Sequence, residues 1–340
     1  MPPRKSKEPK EPKKKAKVIE PESIDEHEPI DKAEPTKEIE DVVMANEKPI
    51  TSEDEEPQQQ TQEGEEEDGP THTLQVVLAD NKRALRFGSI ITQLKQLTNN
   101  VRFNFKESGL YIQCMDDAHC CLFECTLDAE WFHRYNVDHA VTLGLNLSTM
   151  HKVIHTRHET QCLKLAFDDA NPDVLSVSFT SQPQVAFDKF FELPLLNLEG
   201  ELFDTAQMET QVDVEVDSKM FAEIVNQLTI FDDNLTLTFL EDRIDLVSSG
   251  IDGSMKAVIN VSDIAGYAIP EDMTLKQSYS LKYVQLMCQF HKIAPTTLMG
   301  FGDQIPMTMR YNLEDPTKQE DEECKSYVRI HLAPKIVDEE

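Results

Sequence analysis

The 340-residue sequence has no apolar run of about 18 residues, the length a membrane-spanning helix needs. It has no glycine-rich phosphate loop and no nucleophile elbow, so nothing in it suggests a P-loop nucleotidase or an α/β-hydrolase. Its seven cysteines are odd in number and irregularly spaced. That argues against a disulfide framework and for free thiols in a reducing compartment. Residues 1–70 contain no Phe, Trp, Tyr or Cys, yet hold 10 of the 18 prolines. Such a segment cannot bury enough apolar area to offset its ordering entropy, and it is expected to be a disordered, charged extension. It is basic and proline-rich at its start, without the apolar core of a secretory signal. The cluster Lys13-Lys14-Lys15-Ala16-Lys17 fits a nuclear-import signal, a loose phosphate-binding arm or a solvated charge run.

The most informative scarcity is local. The chain carries 63 acidic residues and a formal net charge of −30, which argues against indiscriminate nucleic-acid binding. Yet Asn81 to Thr98 has no acid and carries Lys82, Arg83, Arg86 and Lys95. Val141 to His158 has none and carries Lys152, His155 and Arg157, and Ser278 to Met299 has none and carries Lys282 and Lys292. A further segment bears Lys219 but breaks the pattern with Asp217 and Glu223. Two readings stay open: helices that happen to face basic neighbours, or a surface of equivalent helices that meets polyanion. A mobile, hydrated lysine charge suits phosphate contact without sequence reading.

Each of these segments reads as a helix. In the first, Phe87, Ile90, Ile91 and Leu94 form one apolar stripe at helical spacing. A hairpin follows: Val101, Phe103 and Phe105 alternate with polar residues, Glu107-Ser108-Gly109 turns, and Leu110 and Ile112 alternate on the return. The pattern recurs at an offset of 134 residues, from Phe87 to Phe221. Ile224, Leu228, Phe239, Ile244 and Leu246 then answer Ile90, Leu94, Phe105, Leu110 and Ile112. A repeat this long means two copies of a domain, not a solenoid. The expected organisation is an extension over 1–70, a first domain over 71–192, a connector over 193–209, a second domain over 210–332 and a tail over 333–340. The fold class is α+β, with helices on one face of antiparallel sheet.

Strands are expected at Thr73–Leu78, Cys120–Leu127, Asn136–Leu143, Cys162–Phe167, Val174–Phe179 and Val185–Glu192 in the first copy. Helices are expected at Asn146–Arg157, Lys219–Leu228 and Ser280–Phe290. The connector is too apolar for an ordinary loop, with Leu193, Leu195, Leu196, Leu198, Leu202 and Phe203. Such side chains pack onto the body or await a partner. Asp116, Asp117 and His119 are metal-ligand types, but their setting favours a turn. His151 and His155 have helical ligand spacing, with Lys152 where a zinc hydrolase would place Glu.

Gly109-Leu110-Tyr111-Ile112-Gln113-Cys114-Met115-Asp116-Asp117-Ala118-His119 resembles the signature loop of the eukaryotic-type PCNA family, the DNA sliding clamps. Gly144 to Lys152 and the ending Leu332-Ala333-Pro334-Lys335-Ile336-Val337-Asp338-Glu339-Glu340 resemble it too, and the likeness covers about residues 74–340. The resemblance implies a homotrimeric closed ring whose helices surround duplex DNA without sequence preference. Lys82, Arg83, Arg86, Lys95, Lys152, His155, Arg157, Lys219, Lys282 and Lys292 would then face DNA. It implies no catalysis and no cofactor, a nuclear location, and DNA polymerase, a clamp loader and other peptide-motif proteins as partners. Their docking groove would comprise Met115, His119, Leu202, Phe203, Pro306 and His331, with Ala333, Pro334, Lys335 and Ile336 alongside. Subunits would meet head to tail through two edge strands, at Val185 and Phe187 of one chain and Met255, Ala257 and Ile259 of the next. The sequence departs from the family pattern at His331 (usually Tyr), Glu223 and Asn226 (usually Arg), and Glu241 (usually the lysine that receives ubiquitin). The alternatives are a subunit of a heterotrimeric or checkpoint-type clamp and, in another class, a metal-dependent nuclease using Asp116, Asp117 and His119.

Overall fold

The computed structural model describes residues 72–181, 187–205, 208–313 and 324–335. The disorder expected of residues 1–70, the positions Val185 and Ile336, and most of the acidic insert after Leu313 lie outside these residues. Both copies of the repeat belong to one compact unit, Glu66–Glu340.

The elements run twice in the same order: strand, helix, five strands, helix, three strands. The first half is β1 (Leu74–Leu78), α1 (Asn81–Leu97), β2 (Asn100–Lys106), β3 (Gly109–Met115), β4 (Cys121–Asp128), β5 (Arg134–Val137), β6 (Val141–Asn146), α2 (Leu147–Ile154), β7 (Cys162–Phe167), β8 (Val174–Thr180) and β9 (Lys189–Pro194). The second is β10 (Val212–Asp217), α3 (Ser218–Leu228), β11 (Asn234–Phe239), β12 (Arg243–Gly250), β13 (Gly253–Asn260), β14 (Gly266–Ala268), β15 (Leu275–Ser280), α4 (Leu281–Cys288), β16 (Thr296–Phe301), β17 (Met307–Asn312) and β18 (Tyr327–Leu332).

Local chemistry starts the helices where the apolar stripes begin. Asp80 caps α1, its carboxylate accepting from the amides of Lys82 at 3.2 Å and Arg83 at 3.1 Å. Asn146 caps α2 through the Thr149 amide, and Asp217 caps α3 through the Met220 amide. A cap of this kind stabilises by about 1 kcal/mol. Phe87, Ile90, Ile91 and Leu94 are buried, as their spacing required. The Phe87 and Phe103 rings meet edge to face at 6.4 Å, joining the helix to β2.

Three differences from the sequence reading have simple causes. Asn136–Leu143 is not one strand: the chain bends at Asp138, whose amide donates to the Thr73 carbonyl at 3.0 Å, and β5 and β6 join different sheets. The fourth helix ends at Cys288 and tightens into a 3₁₀ turn over Gln289–Lys292. Strands β14 and β15 carry too little alternation to be read, since β15 buries only Leu275 and Tyr279.

All pairing is antiparallel within the three sheets. One sheet has the order β5-β1-β7-β8-β9, another β13-β12-β11-β15, and the third, of nine strands, β14-β10-β16-β17-β18-β4-β3-β2-β6. The nine-stranded sheet is a fusion. Its β14-to-β18 part belongs to the second half and its β4-to-β6 part to the first, and they join where β18 pairs with β4. The repeat makes β9 the counterpart of β18, and β13 the counterpart of β4. Those two counterparts each lie at the edge of a sheet, as do β5, β6, β14 and β15.

Candidate functional site

The nine-stranded sheet has two working faces, because successive side chains of a strand alternate sides. On one side Phe123 of β4 packs on Phe290, which follows α4, with ring centroids 5.8 Å apart. This is the helical side. Helix α1 packs on α2, α3 packs on α4, and the 3₁₀ turn at Gln289–Lys292 touches both α1 and α3. The helices therefore form one continuous layer, and Glu223 is the only acid on the four of them. Lys82, Lys152, Lys219, Lys282 and Lys292 are exposed on it, and Lys95 is half-buried.

The arginines expected there have structural duties as well. Arg83 donates to the carbonyls of Glu130 and Trp131, and Arg86 to the Leu313 carbonyl in the other half. Arg157 donates to Gln161 O at 2.6 Å and Asn81 Oδ1 at 2.5 Å. Lys219 lies 3.9 Å from Glu223, and Gln285 donates to Asn226 across α3 and α4. His151 and His155 bring their Nε2 atoms to 2.8 Å, hydrogen-bond distance between the two rings. Burial, the His155 ring and Lys95 together hold the His151 pKa below the usual imidazole value.

On the opposite face the connector after β9 crosses the strands in order. Leu196 donates to the Gly144 carbonyl of β6 at 2.8 Å. Any side chain at Gly144 would meet the Leu196 carbonyl, its Cβ 2.1 Å from the oxygen, so the close approach requires glycine. Arg102 of β2 next donates to the carbonyl of Gly200. Gln113 of β3 pairs with both backbone groups of Phe203, its Nε2 donating to the carbonyl at 2.9 Å and its Oε1 accepting from the amide at 2.8 Å. Thr205 Oγ1 then donates to Glu124 Oε1 of β4 at 3.0 Å and accepts from Arg329 Nη2 of β18 at 3.2 Å.

Glu124 is 2 % exposed and is the hub of this crossing. Its Oε1 also accepts from Tyr111 Oη at 2.8 Å, and its Oε2 accepts from Arg329 Nε at 2.9 Å and lies 2.7 Å from His331 Nε2. Burial alone would raise the Glu124 pKa. The hydrogen bond from His331, the Arg329 charge and the Tyr111 hydroxyl outweigh it and bring it down to about 2.

Leu202 and Phe203 are 44 % and 55 % exposed on the connector, and Met115 and Pro306 are half-buried. His119 is exposed with a left-handed backbone (φ 58°), as are Ala333 and Lys335 without that feature, while Pro334 is half-buried. His331 corrects an expectation. It is only 3 % exposed, its Nε2 is committed to Glu124, and its buried Nδ1 makes no hydrogen bond among the described residues. It therefore supports the connector from below and does not line a surface pocket.

The free edges also differ in detail from expectation. Phe187 stands exposed before β9, but Met255, Ala257 and Ile259 turn toward the core side of β13, and Ile259 is buried. Strand alternation puts Val258 outward instead. Phe190 on β9 and Ile230 and Ile251 near β13 are strongly exposed, and the Phe231 ring lies against the β12–β13 turn at Gly253.

The Asp116 cluster is a turn. Its carboxylate accepts from the amides of Ala118, Cys120 and Cys121 and, at 2.5 Å, from Tyr283 Oη on α4. Burial raises its pKa, but the Tyr283 and amide hydrogen bonds hold it net below the usual carboxylate value. Both oxygens are occupied, which leaves this carboxylate nothing to offer a metal. Among the described residues no group of three or more His, Cys, Asp or Glu could hold one.

The family model described as "Proliferating cell nuclear antigen, N-terminal domain" matches residues 79–204. Over that stretch the chain is similar to the proliferating cell nuclear antigen family. A relative named proliferating cell nuclear antigen from Chaetomium thermophilum is 26 % identical over 258 residues, covering 74 % of this chain and 95 % of its own length. Proliferating cell nuclear antigen 2 of Drosophila melanogaster is 23 % identical over 256 residues, covering 75 % and 96 %. Proliferating cell nuclear antigen 1 of Plasmodium falciparum (isolate 3D7) is 26 % identical over 255 residues, covering 72 % and 92 %. The fold is of the clamp type, two α+β halves with antiparallel sheets and helices.

Several working residues of this protein gave no signal in the sequence. Glu124, Thr205 and Arg329 lie far apart in the chain, and only the β18–β4 register brings Arg329 opposite Glu124. A buried acid on an otherwise apolar strand was the one available hint.

Proposed function

We propose that this protein is a DNA sliding clamp, a homotrimeric processivity factor that tethers polymerase and other proteins to duplex DNA. The observation that carries the reading is one matched pair among the sheet edges. Strands β9 and β13 are the repeat counterparts of β18 and β4, which already pair inside the chain. A second copy that sets its β9 on this chain's β13 reproduces that internal junction. Every contact is then of one kind, head to tail, and such an interface closes into a ring. Three two-part chains make a ring of six similar parts.

The helical layer, with its exposed lysines and single acid, would line the hole. Closure holds DNA topologically, so a few screened phosphate contacts suffice and leave the clamp free to slide. Leu202, Phe203, Met115 and Pro306 would receive one aliphatic and two aromatic anchors of partner peptides on the opposite face. The duplex, the clamp loader, the polymerase and the nuclear location, the last from the Lys13–Lys17 cluster, are parts of this proposal.

Size-exclusion chromatography with light scattering tests it. A mass about three times 38.8 kDa for the chain alone is expected. A monomer that trimerises only with other chains would favour the heterotrimeric reading. Processive synthesis on primed circular DNA, dependent on a clamp loader, tests the activity, and a reporter fused to Arg4–Lys17 tests import.

A further inference from the structure

The connector is held by backbone pairs at Leu195 and Leu196, by an arginine-to-carbonyl bond at Gly200 and by the Gln113 amide on the Phe203 backbone, all of an ordinary kind. The contact at Thr205 differs. At Thr205 the chain is tied to a buried carboxylate that also receives Tyr111, Arg329 and His331. The same carboxylate oxygen lies 3.4 Å from Gln113 Nε2, the atom that donates to the Phe203 carbonyl. A carboxylate only accepts, so it fixes which end of the Gln113 amide donates. That leaves Gln113 Oε1 free to accept from the Phe203 amide. One buried charge thus orders both connector contacts on either side of Asp204.

We propose that Glu124 is a positioning residue of the docking groove: it latches the connector at Thr205 directly and at Phe203 through Gln113, and so sets where Leu202 and Phe203 stand. The proposal rests on the docking reading above. Its structural half does not, because the latch holds the connector whether or not a peptide binds.

Leaving a buried carboxylate without its partners is costly, so the latch favours one connector position over a spread of them. A groove formed by ordered side chains binds with less loss of freedom than one that must order on contact. Glu124 therefore contributes to partner affinity without touching the partner.

The experiment measures amide hydrogen exchange at Phe203, and separately the affinity for a synthetic peptide carrying one aliphatic and two aromatic side chains on a 3₁₀ turn. Three variants of the full chain are compared. Thr205→Val removes the latch hydroxyl but keeps the Glu124 charge with its Tyr111, Arg329 and His331 partners, Thr205→Ser restores the hydroxyl, and Glu124→Gln keeps the shape but presents an amide to Arg329 and His331. Exchange at Phe203 should rise about tenfold in Thr205→Val and Glu124→Gln, in line with the loss of one or two hydrogen bonds. Thr205→Ser should behave as the parent. Peptide affinity should fall about fivefold in the same two variants and recover in Thr205→Ser.

Parent-like exchange at Phe203 in Thr205→Val would overturn the latch. So would a rise shared equally by the core strands, which would mark a purely global effect. If Glu124→Gln does not fold, the Thr205 pair decides. If the parent itself binds no peptide, the docking reading fails, and the exchange result still judges the latch.

Discussion

Replacing Glu124 by Gln should change how stability depends on pH, and the size follows from its surroundings. Its carboxyl pKa is lowered from 4.5 to about 2 although burial works in the other direction. The folded state therefore binds this proton less readily than the unfolded chain. The resulting stability is fully present above the unfolded value and is lost as pH falls from about 4.5 through about 2. A drop of that size corresponds to about 3 kcal/mol when each tenfold in acidity counts about 1.4 kcal/mol. By pH 3.5 about 1.4 kcal/mol of it should be gone.

Glutamine has no proton to lose there, so the variant lacks this dependence. The other carboxylates titrate alike in both proteins and cancel in the difference. Urea unfolding at steps from pH 7 to pH 3.5, analysed with a common slope, gives that difference directly. The parent should lead by about 3 kcal/mol near neutrality and by roughly half that at pH 3.5. A gap that stays constant with pH, or no gap at pH 7, would refute the assignment of a buried, charge-stabilised carboxylate at this position.

Reversing Lys152 and Lys282 to Glu should leave the melting temperature nearly unchanged, since exposed substitutions shift stability by within about 0.5 kcal/mol. Loader-dependent synthesis on primed circular DNA should fall sharply, and unchanged processivity would remove the helical layer from the DNA channel. Truncating Leu202 and Phe203 together to Ala should abolish most binding of a clamp-interacting peptide in calorimetry, because anchor side chains each contribute roughly 2 kcal/mol or more. Ile230→Asp combined with Ile251→Asp should dissociate the assembly in light scattering while circular dichroism stays the same, since both side chains are exposed in the single chain. His155→Ala should raise the NMR titration midpoint of His151, because it removes one of the causes that lower it; with the proton now held more readily, the low-pH loss of stability from that ring should shrink.

Much of this protein follows from periodicity. The stripe Phe87, Ile90, Ile91, Leu94 and its echo at Phe221 were enough for α1, α3 and the duplication, because a helix must bury one face and the chain states which. The scarcity of acids on the helices was equally local information. The caps at Asp80, Asn146 and Asp217 act over three residues, so they too lie in the sequence.

Other features depended on which strands meet. Nothing near Glu124 in the chain announces Arg329 or His331, which lie 205 and 207 residues away. Their pairing exists because β18 runs antiparallel to β4, and a shift of one residue in that register would turn them to the other face. The same register buried His331, which the family resemblance placed on a pocket wall. The bend at Asp138 likewise answers to Thr73, across the sheet. The free edges were decided last. Sequence can show that β9 and β13 are strands, but hydrogen bonding across the fused sheet uses both sides of β18 and β4 and leaves their counterparts paired on one side alone. An edge is a statement about neighbours, and neighbours exist only once the chain has folded.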